Sequence, residues 1–137
     1  MPFNLDAYLG IQPAALEVYT ERAQVLGANL ANADTPGYLA RDIDFRAALA
    51  AAGSPDGTLQ PATGDAADPI ASNAPEAGVS TQQYLKYRVP LAPSLDGNTV
   101  DSQLEESKFA ANTVRYEAAL TILEDRFKEL GTAITGT

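Results

Sequence analysis

The sequence predicts a mainly α fold: paired long N- and C-terminal helices, coiled-coil-like, with a small irregular and β-containing segment between them. Three observations carry this. Leu9, Leu16, Ala23 and Leu30 recur every seven residues, with Tyr19 and Leu26 three positions after two of them, an a/d seam over most of residues 6–31. Phe109, Thr113, Tyr116, Leu120, Leu123, Phe127, Leu130 and Ile134 alternate by four and three, and only Thr113 is not apolar. The stretch between these patterns is rich in helix breakers. The chain therefore divides into an N-terminal helix segment (1–34), a turn, short β elements and a loop (35–98), and a C-terminal helix segment (99–137).

Each element has a local reason. Pro13 suits a first helical turn, so the N-terminal helix is expected to begin or kink there. Ile11, Val18 and Val25 form a second seven-residue series, about 200° from the first, and a helix apolar on two sides is buried on two sides. In so short a chain the second side is expected to meet another subunit. Thr35-Pro36-Gly37-Tyr38 has Pro and Gly where a type II turn needs them. Leu39 to Ile43 reads as a short strand, and Asp44 as the cap of a helix over 45–51. Residues 53–80 are rich in Ala, Gly, Pro, Ser and Asp, and Pro55, Pro61, Pro69 and Pro75 exclude a continuous helix there. Tyr84 to Val89 has strand character and stops at Pro90, and Leu95 to Asn98 signals a turn. The C-terminal helix is expected over 99–134. Asn98 or Thr99 is its candidate N-cap, and Ser102 with Glu105 has capping-box spacing. Ala111, Val114, Ala118 and Ile122 give that helix a second face of smaller residues.

Composition narrows the function. Among 137 residues there is no Cys, His or Trp, which excludes disulfides, Cys/His zinc sites and a Ser-His-Asp relay. A formal net charge of −9 disfavours nucleic-acid backbones and anionic lipid surfaces. No apolar run approaches the roughly 18 residues of a membrane span. The first Lys or Arg is Arg22, so the basic start of a cleavable signal peptide is missing. The chemistry-bearing candidates all have plain structural roles. Asp96, Asn98 and Asp101 miss the EF-hand pattern, because Val100 falls at the fifth position and no Glu at the twelfth. Asp42 and Asp44 read as a solvated face or a cap. Tyr84 and Tyr87 beside Lys86 and Arg88 read as cross-strand packing. Asn29 and Asn32, three apart at the helix end, suit local C-capping, a side-chain network to a neighbour or the next turn, or both. No catalytic residue, cofactor site or metal site is expected.

Residues 29–38, Asn-Leu-Ala-Asn-Ala-Asp-Thr-Pro-Gly-Tyr, resemble the N-terminal signature of the flagellar basal-body rod proteins. Ala40-Arg41-Asp42-Ile43-Asp44-Phe45 is most similar to the proximal member of that family. A second block agrees in order: Tyr87-Arg88-Val89-Pro90, then residues 93–101 (Pro-Ser-Leu-Asp-Gly-Asn-Thr-Val-Asp), Phe109-Ala110 and Tyr116. The resemblance covers about residues 5–49 and 84–134 and leaves out 53–80. It implies an axial protein of the bacterial flagellum, exported unfolded by the type III apparatus without a cleavable signal. Its terminal helices would pair into the inner tube of the periplasmic rod, the drive shaft that transmits torque. Implied neighbours are copies of itself, the rod proteins FlgC, FlgF and FlgG, the ring–rod junction protein FliE and the membrane ring protein FliF.

Physics and resemblance converge on helical assembly through apolar seams. The expected assembly seam is Leu16, Tyr19, Ala23, Leu26 and Leu30 with Phe109, Tyr116, Leu120, Leu123, Phe127 and Leu130. The expected signature turn is Asn29, Asn32, Asp34, Thr35, Pro36, Gly37 and Tyr38. A soluble two-helix adaptor or export chaperone is the rival from another class. A carboxylate-based hydrolase is a third, disfavoured by the lack of His and of any pocket-forming pattern.

Overall fold

Gly10, with φ of +62°, breaks the first helical stretch in two. The computed structural model describes residues 4–52, 81–90 and 94–136. In it α1 spans Leu5–Leu9 and α2 spans Gln12–Ala31, with Pro13 in the first turn of α2. After the signature turn come β1 (Arg41–Ile43) and α3 (Phe45–Ala52). A single 3-10 turn, Gln82–Tyr84, leads into β2 (Leu85–Tyr87). The last element, α4, spans Ser102–Thr135, about 50 Å at 1.5 Å per residue. The fold is mainly α, with long terminal helices and a two-stranded sheet between them, as the sequence predicts. The loop expected over 53–80 lies outside the described residues.

β1 and β2 are antiparallel, with Arg41 opposite Tyr87 and Ile43 opposite Leu85. The strands are shorter than the sequence suggests, because the 3-10 turn occupies the start of the second and Val89-Pro90 leaves the ladder. Asp44 caps α3 as expected: its Oδ1 accepts from the Ala47 N–H at 3.1 Å. Gly37 has φ of +73°, as the third position of a type II turn requires, and the Tyr38 N–H donates to the Thr35 carbonyl at 3.3 Å.

The start of α4 departs from expectation. Asp101 is its N-cap and accepts from the Leu104 N–H at 3.2 Å. Neither Asn98 nor Thr99 caps it, and Glu105 makes no capping box with Ser102. All three residues are engaged by distant parts of the chain, which outbid the local roles.

α2 packs chiefly on α4, antiparallel to it. Two corrections follow from how the helices are turned. The second series on α2 does not wait for another subunit: Val18 forms a buried cluster with Ile43 and Ala48, against which Val25, Phe45, Tyr84 and Leu85 pack. The middle segment thus supplies the core that the sequence pattern had withheld from it, and only Ile11 of that series is left exposed. On α4, the covered stripe runs through Glu105, Lys108, Asn112, Tyr116, Ala119, Leu123, Arg126 and Leu130. It shares Tyr116, Leu123 and Leu130 with the expected a/d seam. Phe109, Leu120, Phe127 and Ile134 lie outside it and are exposed.

This rotation predicts a contrast. Leu26→Ala, at a fully buried site on α2, should destabilise the purified chain by about 2–5 kcal/mol. Phe127→Ala, deleting a larger side chain that is half exposed, should cost less than about 1 kcal/mol. Urea denaturation followed by circular dichroism measures both.

Candidate assembly site

Two structures meet where α2 ends. One is a buried polar clasp, the other a pair of stacked turns. Together they fix how the long helices leave the small middle module.

Asn29 is fully buried in the last turn of α2. Its amide grips the backbone of β1 like a neighbouring strand: Nδ2 donates to the Arg41 carbonyl at 2.7 Å, and Oδ1 accepts from the Arg41 N–H at 3.1 Å. Nδ2 also donates to Glu105 Oε2 at 3.0 Å. Glu105, equally buried on α4, accepts a second bond at Oε1 from the Arg88 guanidinium, which follows β2. Arg88 donates on to Asp42 Oδ2 at 3.0 Å. Arg22 of α2 closes the ring with a bidentate pair to Asp42, at 2.9 and 3.0 Å. Lys108 of α4 stands 3.9 Å from the same carboxylate. Five side chains, from α2, β1, α4 and the residue after β2, are thereby joined by hydrogen bonds with Lys108 beside them, and each charge of the clasp has an opposite partner.

The electrostatics follow from this geometry. Burial alone would push the Asp42 carboxyl up. The hydrogen bond and charge of Arg22, the Ile43 N–H and the charge of Arg88 outweigh it and hold Asp42 below the ordinary carboxylate value. Lys108 is lowered, first by burial and then by repulsion from Arg88, with Asp42 opposing. The solvated-face reading of Asp42 is therefore corrected: it is the hub of the clasp. Asp44 is a cap that also pairs with Lys86 at 2.6 Å.

The stacked turns are held by Asn98. Its Nδ2 donates to the carbonyls of Asn32, Ala33 and Thr35 at 3.0, 2.7 and 2.9 Å. These carbonyls lie at the C-cap of α2 and in the turn after it; those of Asn32 and Thr35 also accept a backbone N–H, from Thr35 and Tyr38, and that of Ala33 is served by Asn98. Asn98 therefore caps the end of the first long helix, not the start of the second. Asn98 Oδ1 in turn accepts from the Val100 N–H at 2.7 Å. Gly37 N–H donates to the Asp96 carbonyl at 2.9 Å, and a Cβ on Gly97, whose φ is +77°, would meet the Gly37 Cα at 3.7 Å. Thr99 ties the turn to the sheet: its N–H donates to the Tyr38 carbonyl, and its Oγ1 accepts from the Ala40 N–H at 2.7 Å. Asp96 accepts from Ser94 and from the Asn98 N–H, so the Asp96–Asn98–Asp101 set builds a turn and a cap.

The expected site residues separate accordingly. Asn29 takes the network role and Asn32 the local one, with Nδ2 donating to the Ala28 carbonyl at 2.8 Å and Oδ1 accepting from Thr35 Oγ1. Asp34, Thr35, Pro36 and Gly37 are exposed, and Tyr38 is half-buried. Tyr19 stacks on Phe45 with ring centroids 4.5 Å apart. Leu16, Ala23 and Leu30 are half-buried, Leu26 is buried, and Phe109, Leu120 and Phe127 face outward. Sequence reasoning missed Arg22, Arg88, Glu105 and Asn112. The available signal was the polar heptad Glu105, Asn112, Ala119, Arg126, spaced like a seam but not apolar.

Two outcomes test the site. Asn98→Ala should cost about 1–3 kcal/mol by stranding carbonyls, and Asn98→Asp more, because a carboxylate cannot donate to them; urea midpoints rank the two. Asp42 has a folded-state pKa below its unfolded value. Its contribution is therefore complete above the ordinary aspartate range and is lost as pH falls through the folded-state pKa. Asp42→Asn should lower stability at about pH 7 and flatten the loss between about pH 5 and pH 3, read from denaturation at each pH.

Among the described residues no group of three or more Asp and Glu could hold a metal ion, and no helix is long and apolar enough to cross a membrane. No family model matches the chain. Its relatives align nearly end to end. It is 43% identical over 136 residues to the flagellar basal body rod protein FlgB of Salmonella typhimurium, covering 97% of this chain and 96% of that protein. Against the FlgB of Cereibacter sphaeroides it is 43% identical over 128 residues, covering 93% and 94% of the two chains. Against that of Aeromonas hydrophila the figures are 39% over 137 residues, 99% and 98%. An identity at this level, spanning both long helices and the clasped turn between them, means that the chain belongs to the FlgB family of flagellar basal body rod proteins.

Proposed function

We propose that this chain is a structural subunit of the flagellar basal body rod, and that it works by packing its long helices against neighbouring subunits. One observation carries the packing: both phenylalanines of α4, Phe109 and Phe127, together with Leu120, are turned to the side of the α2 contact line and stay exposed. A soluble helix that buries Glu105 and Asn112 while exposing Phe and Leu is arranged for a second layer of contacts. The adaptor or chaperone reading has no comparable support, since rod proteins match the chain over almost its whole length.

In this reading the assembly seam comprises the outward set Phe109, Leu120 and Phe127 and the half-buried edge Leu16, Ala23 and Leu30. Tyr19, Leu26, Tyr116, Leu123 and Leu130 hold the hairpin itself. Segments 1–34 and 99–137 form the tube layer, and 35–98 the outer part. Torque passes through many packed side chains and no residue is catalytic. Neighbours are self-copies, FlgC, FlgF and FlgG, with FliE and FliF at the ring end, and the chain's place is the periplasmic rod.

The double variant Leu120→Asp, Phe127→Asp tests this. Both sites are exposed in the single chain, so its helicity and melting temperature should stay close to the parent's. In an assembled seam each buried, unpaired carboxylate costs several kcal/mol. Swimming motility and recovery of the chain in purified basal bodies should both be lost. Normal motility with the subunit in place would overturn the seam.

A further inference from the structure

α4 is apolar on both flanks of the line where it meets α2, and the flanks differ in kind. Take the direction of Asn112 and Ala119 as zero. At 100° per residue, Phe109, Leu120 and Phe127 lie about 60–80° to one side, and Ala118 and Ile122 about 80–120° to the other.

The first flank carries large side chains with an acidic rim. Glu117 and Glu124 stand beyond Leu120 on that side, exposed and in no ion pair among the described residues. The flank also holds a notch of about 240 Å³ between Tyr19, Thr20 and Ala23 on α2 and Asn112, Thr113 and Tyr116 on α4. Asn112 spends its Nδ2 on the Tyr19 carbonyl at 2.9 Å, and its buried Oδ1 has no partner among the described residues. A buried acceptor left over in the single chain is what a donor from another molecule would satisfy.

The second flank is a groove of about 280 Å³, with the small and aliphatic Ala15, Ala118, Ala119 and Ile122 along it and the Tyr19–Phe45 ring pair and Gln12 on its α2 side. Arg115 lines it too, exposed and without an acidic partner among the described residues. Of the acids on this side, Asp125 pairs with Lys128 at 3.2 Å, and Glu129, one turn beyond Asp125, accepts from Tyr8 at 3.1 Å and keeps its charge away from Arg115 along the helix.

We propose that the large, acidic flank of one copy docks into the small, Arg115-bearing flank of a second copy. The inference rests on the rod-subunit reading and adds to it which face meets which. Size favours it, because projecting Leu and Phe side chains meet an open groove whose α4 side carries Ala118 and Ala119 and whose other lining is largely apolar. Charge favours it, because Arg115 meets Glu117 and Glu124, none of them ion-paired among the described residues, whereas the acidic flank pairing with itself would set carboxylate against carboxylate. The two faces are different surfaces, so the contact is heterologous. It leaves one face of each kind open at the ends and propagates instead of closing on a dimer.

The chain lacks Cys, so single introduced thiols report the contact cleanly. Ala118→Cys and Leu120→Cys chains, mixed in equal amounts at millimolar concentration with a short thiol-to-thiol cross-linker, should give heterodimers several-fold in excess of either homodimer. Arg115→Glu in the Ala118→Cys chain should cut that yield several-fold, and Glu117→Arg in the Leu120→Cys chain should restore it. Dominant Leu120→Cys homodimers would overturn the proposal, as would heterodimers indifferent to both charge reversals, or no heterodimer at all. The same pair, co-expressed and cross-linked in purified basal bodies, separates the two readings. A chain absent from basal bodies refutes the rod assignment, whereas a chain present there without the 118–120 product refutes only this docking.

Discussion

The buried carboxylate of Glu105 is the constraint on which the rest of the structure depends. A charge in that position must be matched on every side, and the fold is arranged to match it. Asn29 arrives from α2 and Arg88 from the end of β2, and Arg88 in turn needs Asp42, which needs Arg22. Remove the carboxylate and Arg88 loses one of its two acidic partners, while Asn29 keeps only the backbone of β1. The clasp is satisfied only when α2, α4 and both strands are in register. An apolar seam of leucines and alanines would lose little from a slip of one helical turn, whereas a network of directional, charge-assisted bonds tolerates none. The hairpin thus derives its geometry from polar groups and needs few large apolar side chains for its own interior.

That division of labour explains what could be read from the sequence and what could not. The helices, the turn at Pro36-Gly37, the cap at Asp44 and the break before Pro13 follow from local rules, and all are present. The facing of α4 does not. Heptads at Phe109–Leu120–Phe127 and at Glu105–Asn112–Arg126 differ by only a few tens of degrees around the helix. Hydrophobicity favours the first as the inner face. The inner face is the second, because partners more than 15 residues away neutralise its polar groups, and periodicity carries no information about them. Asn98 makes the same point: next to a helix start it reads as an N-cap, yet it serves carbonyls more than 60 residues earlier. Val18 and Val25 were legible as a second apolar face, but not what covers it, since Ile43 and Ala48 sit in segments with no long pattern of their own.

The two ends of the hairpin are built differently. At the α2–β1 junction the clasp and the Asn98 cap leave the chain little freedom. At the other end α1 is a single short helix beyond Gly10, tied to α4 by Tyr8 with Glu129 and by Arg126 with the Tyr8 carbonyl. Asn29 lies opposite Glu105 and Tyr8 opposite Arg126, so among the described residues α1 and α2 line α4 to about Leu130. Ile134, in the final turn, is exposed. The side-chain bonds that join the two halves of the hairpin are thus densest near the signature turn.

Placing the polar groups inside also resolves a conflict that any assembling subunit faces. A chain that must pack through exposed Phe and Leu risks indiscriminate association before it reaches its site. Here the exposed apolar stripe is bordered by Glu117 and Glu124, which make no ion pair among the described residues, and the whole molecule carries a net charge of −9. Like charge keeps copies apart in any orientation that sets the acidic flanks against each other, while a surface bearing Arg115 is attracted. The same carboxylates thus act against the wrong contact and for the right one. The clasp holds Arg22 and Arg88 in the interior, so neither stands on the outer surface to blur that distinction. The interior network and the outer surface are two consequences of one allocation of charge: basic groups are spent holding the fold, and acidic groups are left to choose the neighbour.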